Sequence, residues 1–318
     1  MKMLGIFVIV SLGLFAGCGE VYAEKHADLT IGLMPAYNSI PLVVAKVHRL
    51  FEAQGIDVAL VPFNGQLERE TALQTGALDG TVSDLINAIQ SWTHGFGARV
   101  TSVTEGNFSL LASPHSTLRS LSDWPSGSGS RVRVGLLENS IVYYLTERML
   151  NAAGADPARL ELVPIVQLPA RVEMLLADKV DAACLPEPLS TLAASRGARV
   201  LADADALGTT PGVLLFTKKA LVEKRAKISA FYRSYDAAVD EVNARPDSYR
   251  QSIVTECAFP PAVSGLIRVP RFQHAFLPSE KLVADVASWM VGKGLAKNVP
   301  AYPEIIDPGP VADHARAE

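Results

Sequence analysis

A chain of 318 residues, 49% hydrophobic and only 19% charged, can bury a large core and is long enough for about two domains. Its formal net charge of −4 supplies no basic stripe to neutralise phosphates, so no nucleic-acid partner is expected. His26, His48, His94, His115, His274 and His314 stand singly and the cysteines form no C-x-x-C, so neither a metal centre nor a cofactor is expected.

The first 23 residues read as a targeting leader. Lys2 gives the positive n-region, and LGIFVIVSLGLFAGC is apolar for the length of a signal h-region but short for a membrane span. Leu14-Phe15-Ala16-Gly17-Cys18 resembles a bacterial lipobox, with Phe15 where the motif prefers leucine. This spacing favours lipidation of Cys18 and a membrane anchor, while Val21-Tyr22-Ala23 offers ordinary signal-peptide cleavage as the alternative. With Cys18 lipidated, Cys184 and Cys257 are expected as buried thiols packed as small hydrophobes.

The mature chain then says nearly the same thing twice. ALVPFNGQLERETALQTGALDGTVSDL (59–85) returns as ELVPIVQLPARVEMLLADKVDAACLPEP (161–188). Four anchors keep their order at offsets of 100 to 103 positions: Ile31-Gly32-Leu33 with Val134-Gly135-Leu136, Val61-Pro62 with Val163-Pro164, Leu78-Asp79 with Val180-Asp181, and Gly97-Ala98-Arg99-Val100 with Gly197-Ala198-Arg199-Val200. In the first copy, DLTIGLM predicts a strand, LVVAKVHRLFEAQ a helix closed at Gly55, IDVALVP a second strand, LERETALQTG a second helix, LDGTVS a third strand and DLINAIQSWTHG a third helix. The second copy follows the same order from RVRVGLL. This alternation implies α/β lobes with parallel strands joined by crossovers.

Between the copies, Trp124-Pro125-Ser126-Gly127-Ser128-Gly129-Ser130 reads as a connector. TSVTEGNFSLLASP (101–114) predicts a strand leaving the first lobe, and TTPGVLLFTKKAL (209–221) a strand returning to it. The expected division is therefore 24–113 with 211–318 as lobe 1, and 114–210 as lobe 2, with two crossing strands as hinges. The C-terminal third reads as helices packed on lobe 1, ending in a wrapping or frayed tail over 301–318.

In open α/β sheets, ligands sit beyond the carboxyl ends of the strands. The loops there contribute Tyr37, Asn38, Ser39, Asn64, Gly65, Ser83, Asp84 and Glu105 from the first lobe, and Glu138, Asn139, Ser140, Gln167 and Glu187 from the second. Tyr37 can close over a planar or aliphatic group, and the amides and hydroxyls can hydrogen-bond a solute or cap helices. These loop stretches hold four carboxylates and no Lys or Arg, which favours a neutral or amine-bearing ligand.

Arg49-Leu50-Phe51-Glu52-Ala53-Gln54-Gly55-Ile56-Asp57-Val58, the pattern from Leu73 to Asp79 and Glu187-Pro188 opening a helix together resemble the solute-binding proteins of ABC importers. The likeness is greatest to the branch serving alkanesulfonates, taurine, nitrate or thiamine pyrimidine precursors, and it spans about residues 28 to 295. It implies a two-lobed periplasmic binding protein fold of type II, with two Rossmann-like lobes, a hinge and a central cleft. It also implies an exported, monomeric protein without catalytic residues, holding a pyrimidine- or aminosulfonate-like solute, with a permease and its ATPase as partners. An enzyme on the same fold, of the pyrimidine or menaquinone precursor type, and a ligand-sensing module for a membrane sensor are the alternatives. The chain has no nucleophile elbow, dinucleotide fingerprint or Walker loop.

Overall fold

A computed structural model describes residues 27–208 and 210–315. The leader, with Cys18 and Ala23, lies outside the described residues, as does His26. Ten strands form two five-stranded sheets. In chain order they are β1 (Leu29–Leu33), β2 (Val58–Pro62), β3 (Gly80–Asp84), β4 (Arg99–Val103), β5 (Phe108–Ala112), β6 (Val132–Leu136), β7 (Leu160–Pro164), β8 (Ala182–Pro186), β9 (Arg199–Asp203) and β10 (Gly212–Phe216). The sheet orders are β2-β1-β3-β10-β4 and β7-β6-β8-β5-β9.

The duplication read from sequence is thus a duplication of topology. Gly32 pairs with Val61 and Thr81, and its counterpart Gly135 pairs with Val163 and Ala183. Each sheet also holds one antiparallel strand, the first after the chain crosses into that lobe. β10 lies between β3 and β4, β5 lies between β8 and β9, and both carry a register shift at the same place, Leu214/Leu215 and Leu110/Leu111. Both strands are buried along their whole length.

The place of β5 corrects the expected boundary. The run 101–114 is two strands rather than one, and β5 belongs wholly to the second sheet, so the first crossing falls at residues 104–107 and not at 113. Hydrophobicity could not mark the crossing, because only Thr104, Glu105, Gly106 and Asn107 separate the two strands. A second correction concerns the first helix. Arg49, at φ 58°, sits in the left-handed region and splits it into Ile40–Val47 and Leu50–Ala53.

Alternate strand residues feed two apolar layers, one on each face of the sheets. Leu214 and Phe216 enter the layer with Ile31, Phe51, Phe231 and Tyr232, whereas Val213 and Leu215 enter that of Ile86, Leu145 and Met290. Both layers contain residues of both lobes. The C-terminal segment wraps the first lobe: Ile305 and Ile306 are buried, and Ile306 bridges Val100. Cys184 and Cys257 are buried free thiols, the Cys184 thiol being pushed up to about 12 by burial.

Candidate functional site

The carboxyl ends of β1, β3, β6 and β8 meet across a seam between the lobes. The strand ends and the helices that follow enclose a cavity of about 70 Å³ lined by Met34, Ala36, Asn38, Gln66, Arg69, Val82, Ser83, Asp84, Phe108, Leu137, Ser140, Ile141, Val142, Val166, Leu168, Arg171 and Pro186. The lobes touch around it. Gly65 and Gln167, equivalent positions of the two copies, pair as an isolated bridge, as a pseudo-two-fold axis between the lobes requires. Gln167 Nε2 donates to Glu68 Oε1 at 3.0 Å, Gln66 Nε2 to the Asn139 carbonyl at 3.2 Å, and Leu168 N to the Asn64 carbonyl at 3.3 Å.

Of the residues expected at the site, Asn38, Ser83, Asp84 and Ser140 line this cavity. Ser140 both caps and lines: its Oγ accepts from Tyr143 N and donates to the Leu137 carbonyl at the head of the helix Ile141–Ala152. Asp84 caps the helix Leu85–Thr93, accepting from Asn87 N at 2.9 Å and Asn87 Nδ2 at 3.0 Å. It is 3% exposed, and burial pushes its carboxyl up to about 6, outweighing the lowering by Asn87 and Arg69.

The remaining expected residues fall elsewhere. Tyr37 packs against Phe259 with ring centres 6.1 Å apart, and its backbone N donates to the Glu187 carbonyl, so it seals the seam instead of facing the cavity. Burial, then Glu187, raise its phenol. Ser39 donates to the Met34 carbonyl, and Asn64 is exposed. Glu187 accepts from Thr191 N and Oγ1, serving the first turn of its helix. Glu105 accepts two bonds from Gln273, in a groove on the hinge side. Glu138 and Asn139 line an adjoining chamber.

Two residues that the sequence argument passed over dominate the cavity. Arg69 and Arg171 are 5% and 3% exposed and occupy the same position in the two copies, on the helices Gln66–Gln74 and Leu168–Leu176. Both arginine stems pass close to the equivalent glycines Gly32 and Gly135, where an added Cβ would lie 3.4 Å from Arg69 Cγ and 3.5 Å from Arg171 Cγ, in ordinary contact. The strand-end loops hold no Lys or Arg, but the second turn of each following helix does. The signal was present in the repeat register, an arginine four residues before the buried Leu73 and Leu175, on a helix face otherwise apolar.

The two arginines are not equivalent electrostatically. Arg69 Nη2 is 2.7 Å from Glu70 Oε1 and 3.2 Å from Ser83 Oγ, so its charge is met inside the protein. Arg171 donates to the Ile165 carbonyl at 2.7 Å and the Cys184 carbonyl at 3.3 Å, while its Nε is buried with no hydrogen-bond partner. Among the described residues no carboxylate forms an ion pair with it. Burial lowers the guanidinium to about 10. A desolvated cation without a counter-ion is costly in a folded chain and is the feature an anion would complete.

Comparison with known proteins agrees with this architecture. Residues 22–255 match the model of the NMT1-like family. A protein of Brachyspira hyodysenteriae named as an ABC transporter periplasmic binding protein is 23% identical over 266 residues, covering 78% of this chain and 76% of that one. The alkanesulfonate-binding protein SsuA from Xanthomonas axonopodis pv. citri, bound to MOPS, superposes with a TM-score of 0.73 at 22% identity, over 89% of this chain and 99% of that one. The ligand-binding component of an ABC-type import system from Staphylococcus aureus, with zinc bound, gives a TM-score of 0.74 at 17% identity, over 91% and 99%. The chain belongs to the NMT1-like family and has the two-lobed periplasmic binding protein fold.

Proposed function

We propose that the chain is the exported solute-binding protein of an ABC importer, which closes its lobes over a small organic solute bearing an anionic group and presents it to a membrane permease. The observation that carries this reading is Arg171, a buried guanidinium in the interlobe cavity with a free Nε–H and no carboxylate paired to it. Around it, Ser140 at a helix N-terminus and the Asn38 amide can orient the bound group. The neutral or amine-bearing ligand favoured by the loop carboxylates is thereby narrowed to one that also carries an anion, because Asp84 and Glu187 both serve helix starts and Arg171 outweighs what remains. The relative named as a periplasmic binding protein supports the importer assignment and an extracytoplasmic location. A lipid anchor on Cys18 and a monomeric state remain parts of the proposal.

Ligand contacts on both lobes favour the closed arrangement, and only that differential affinity moves the population. The test is to purify residues 24–318 and screen sulfonates, nitrate, carboxylates and pyrimidines by thermal shift and calorimetry. Anionic solutes should stabilise the wild type, by about 2.7 kcal/mol at 100 times the dissociation constant, and Arg171→Met should abolish the response. A neutral pyrimidine bound equally by wild type and R171M would refute the anion anchor. Turnover of any panel member would favour an enzyme.

A further inference from the structure

The cavity between the lobes has a donor wall and an acceptor wall. On the lobe 2 side, Arg171 holds its buried Nε–H without a partner. On the lobe 1 side stand two acceptors, Asp84 and Asn38, and the buried Asn38 Oδ1 likewise has no hydrogen-bond partner. Arg69, Asp84 and Arg171 are the ionisable side chains that line the cavity.

The surroundings of Asp84 do not neutralise it. Asn87 N, Asn87 Nδ2 and the Ile86 amide donate to its carboxylate; all are neutral, and they leave at least one of its about four acceptor positions open. Of the charged groups near it, Arg69 is met by Glu70 at 2.7 Å, and Glu70 itself works against a second negative charge. The strand β10 brings only Gly212 alongside, and the facing helix head brings Ser140. At about 70 Å³ the cavity takes one small polar group, which therefore meets both walls at once. A sulfonate or nitrate offers acceptors alone. It satisfies Arg171 but sets an oxygen against Asp84 and Asn38 Oδ1, a contact that repels until a proton comes between. A tetrahedral oxyanion that retains one proton offers an acceptor and a donor on the same central atom.

We infer that Asp84 is a specificity-determining residue and selects a singly protonated phosphorus oxyanion, R–PO3H−, whose P–O− is held by Arg171 and whose P–O–H donates to the Asp84 carboxylate. This rests on the anion anchor proposed above. A sulfonate must instead take the bridging proton from solution through Asp84, whose carboxyl burial holds at about 6, so at pH 7 that step costs it about a factor of ten. A phosphonate brings its proton with it.

The probes are ethanesulfonate, ethylphosphonate and methyl phosphate, titrated by calorimetry into residues 24–318 and the Asp84→Asn variant from pH 5 to pH 7. In the wild type, ethylphosphonate should bind about as tightly as ethanesulfonate at pH 5 and about tenfold more tightly at pH 7. In D84N, whose amide can donate to an oxyanion, the ratio should stay within about threefold throughout because sulfonate binding improves at pH 7, a gain that misfolding cannot produce. Methyl phosphate separates the two sources of the group: whichever phosphorus probe binds more tightly at pH 7 shows whether it is carried on carbon or on an ester oxygen, and either supports the proton bridge. A sulfonate bound as tightly as the phosphonate by wild type at pH 7, or a ratio that still grows with pH in D84N, overturns the role of Asp84 and leaves the Arg171 anchor standing. Failure of all three probes to bind overturns both.

Discussion

Arg171 and Asp84 show how the same burial acts on opposite charges. A guanidinium cannot shed its proton at neutral pH, so Arg171 stays charged and unpaired, whereas Asp84 titrates near 6. Arg171→Met should therefore leave the ligand-free chain as stable as the wild type or more so in urea denaturation, while lowering affinity for an anionic solute at least a hundredfold. Asp84 binds its proton more tightly folded than unfolded, so its contribution is most favourable below about pH 4 and is lost as pH rises to about 6. The shift corresponds to about 3 kcal/mol. Asp84→Asn keeps a good helix cap and should flatten the fall in stability between pH 4 and 6. An anion in the cavity further disfavours the Asp84 charge, so sulfonate affinity should weaken as pH rises through 6, with proton uptake on binding detectable in buffers of different ionisation enthalpy.

At the scale of elements, the helices Ile141–Ala152 and Glu280–Gly292 form a second tie between the lobes. The first belongs to lobe 2, and the other packs on the lobe 1 helix Leu85–Thr93. Glu147, 4% exposed, accepts from Trp289 Nε1 at 2.8 Å and from Lys293 Nζ, and Trp289 meets Tyr143 and Tyr144 edge-on at 5.4 and 5.3 Å. Removing the carboxylate leaves two donors half-buried. Glu147→Ala should cost about 2 kcal/mol in chemical denaturation and change the emission of Trp289, with the cavity residues untouched. The helical spacing of Leu282, Val283, Val286, Trp289 and Met290 is that of a core-facing stripe. Its contact with the second lobe was not readable, because Glu147 and Lys293 are 146 residues apart and carry no local pattern.

For the whole molecule, lobe approach is limited at Gly65, where a Cβ would lie 2.9 Å from Gln167 Nε2. Gly65→Val places a branched side chain in the seam without entering the cavity. Closure should become less favourable: solute affinity should drop about tenfold by calorimetry while the melting temperature of the ligand-free protein stays within a few degrees. A variant that binds as tightly as wild type would show that the Gly65–Gln167 contact does not matter for closure. The second sheet takes all its strands, β5 to β9, from residues 108–203, and β5 lies between β8 and β9. Residues 114–210 lack β5, so expression of 114–210 alone should give an unfolded chain by circular dichroism.

The order of strands and helices, the duplication and the identity of the loops at the strand ends followed from the sequence, because period-2 and period-3.6 hydrophobicity and a repeat offset near 102 are local or self-referential signals. Asn38, Ser83, Asp84 and Ser140 were reachable for that reason. The place of β5 and β10 as interior antiparallel strands, the dispersal of Tyr37, Glu105 and Glu187 away from the cavity, and the burial of Arg69 and Arg171 were decided only in three dimensions. Whether a charge counts at a site depends on its desolvation and on which partners surround it, and those follow from packing between elements far apart in the chain.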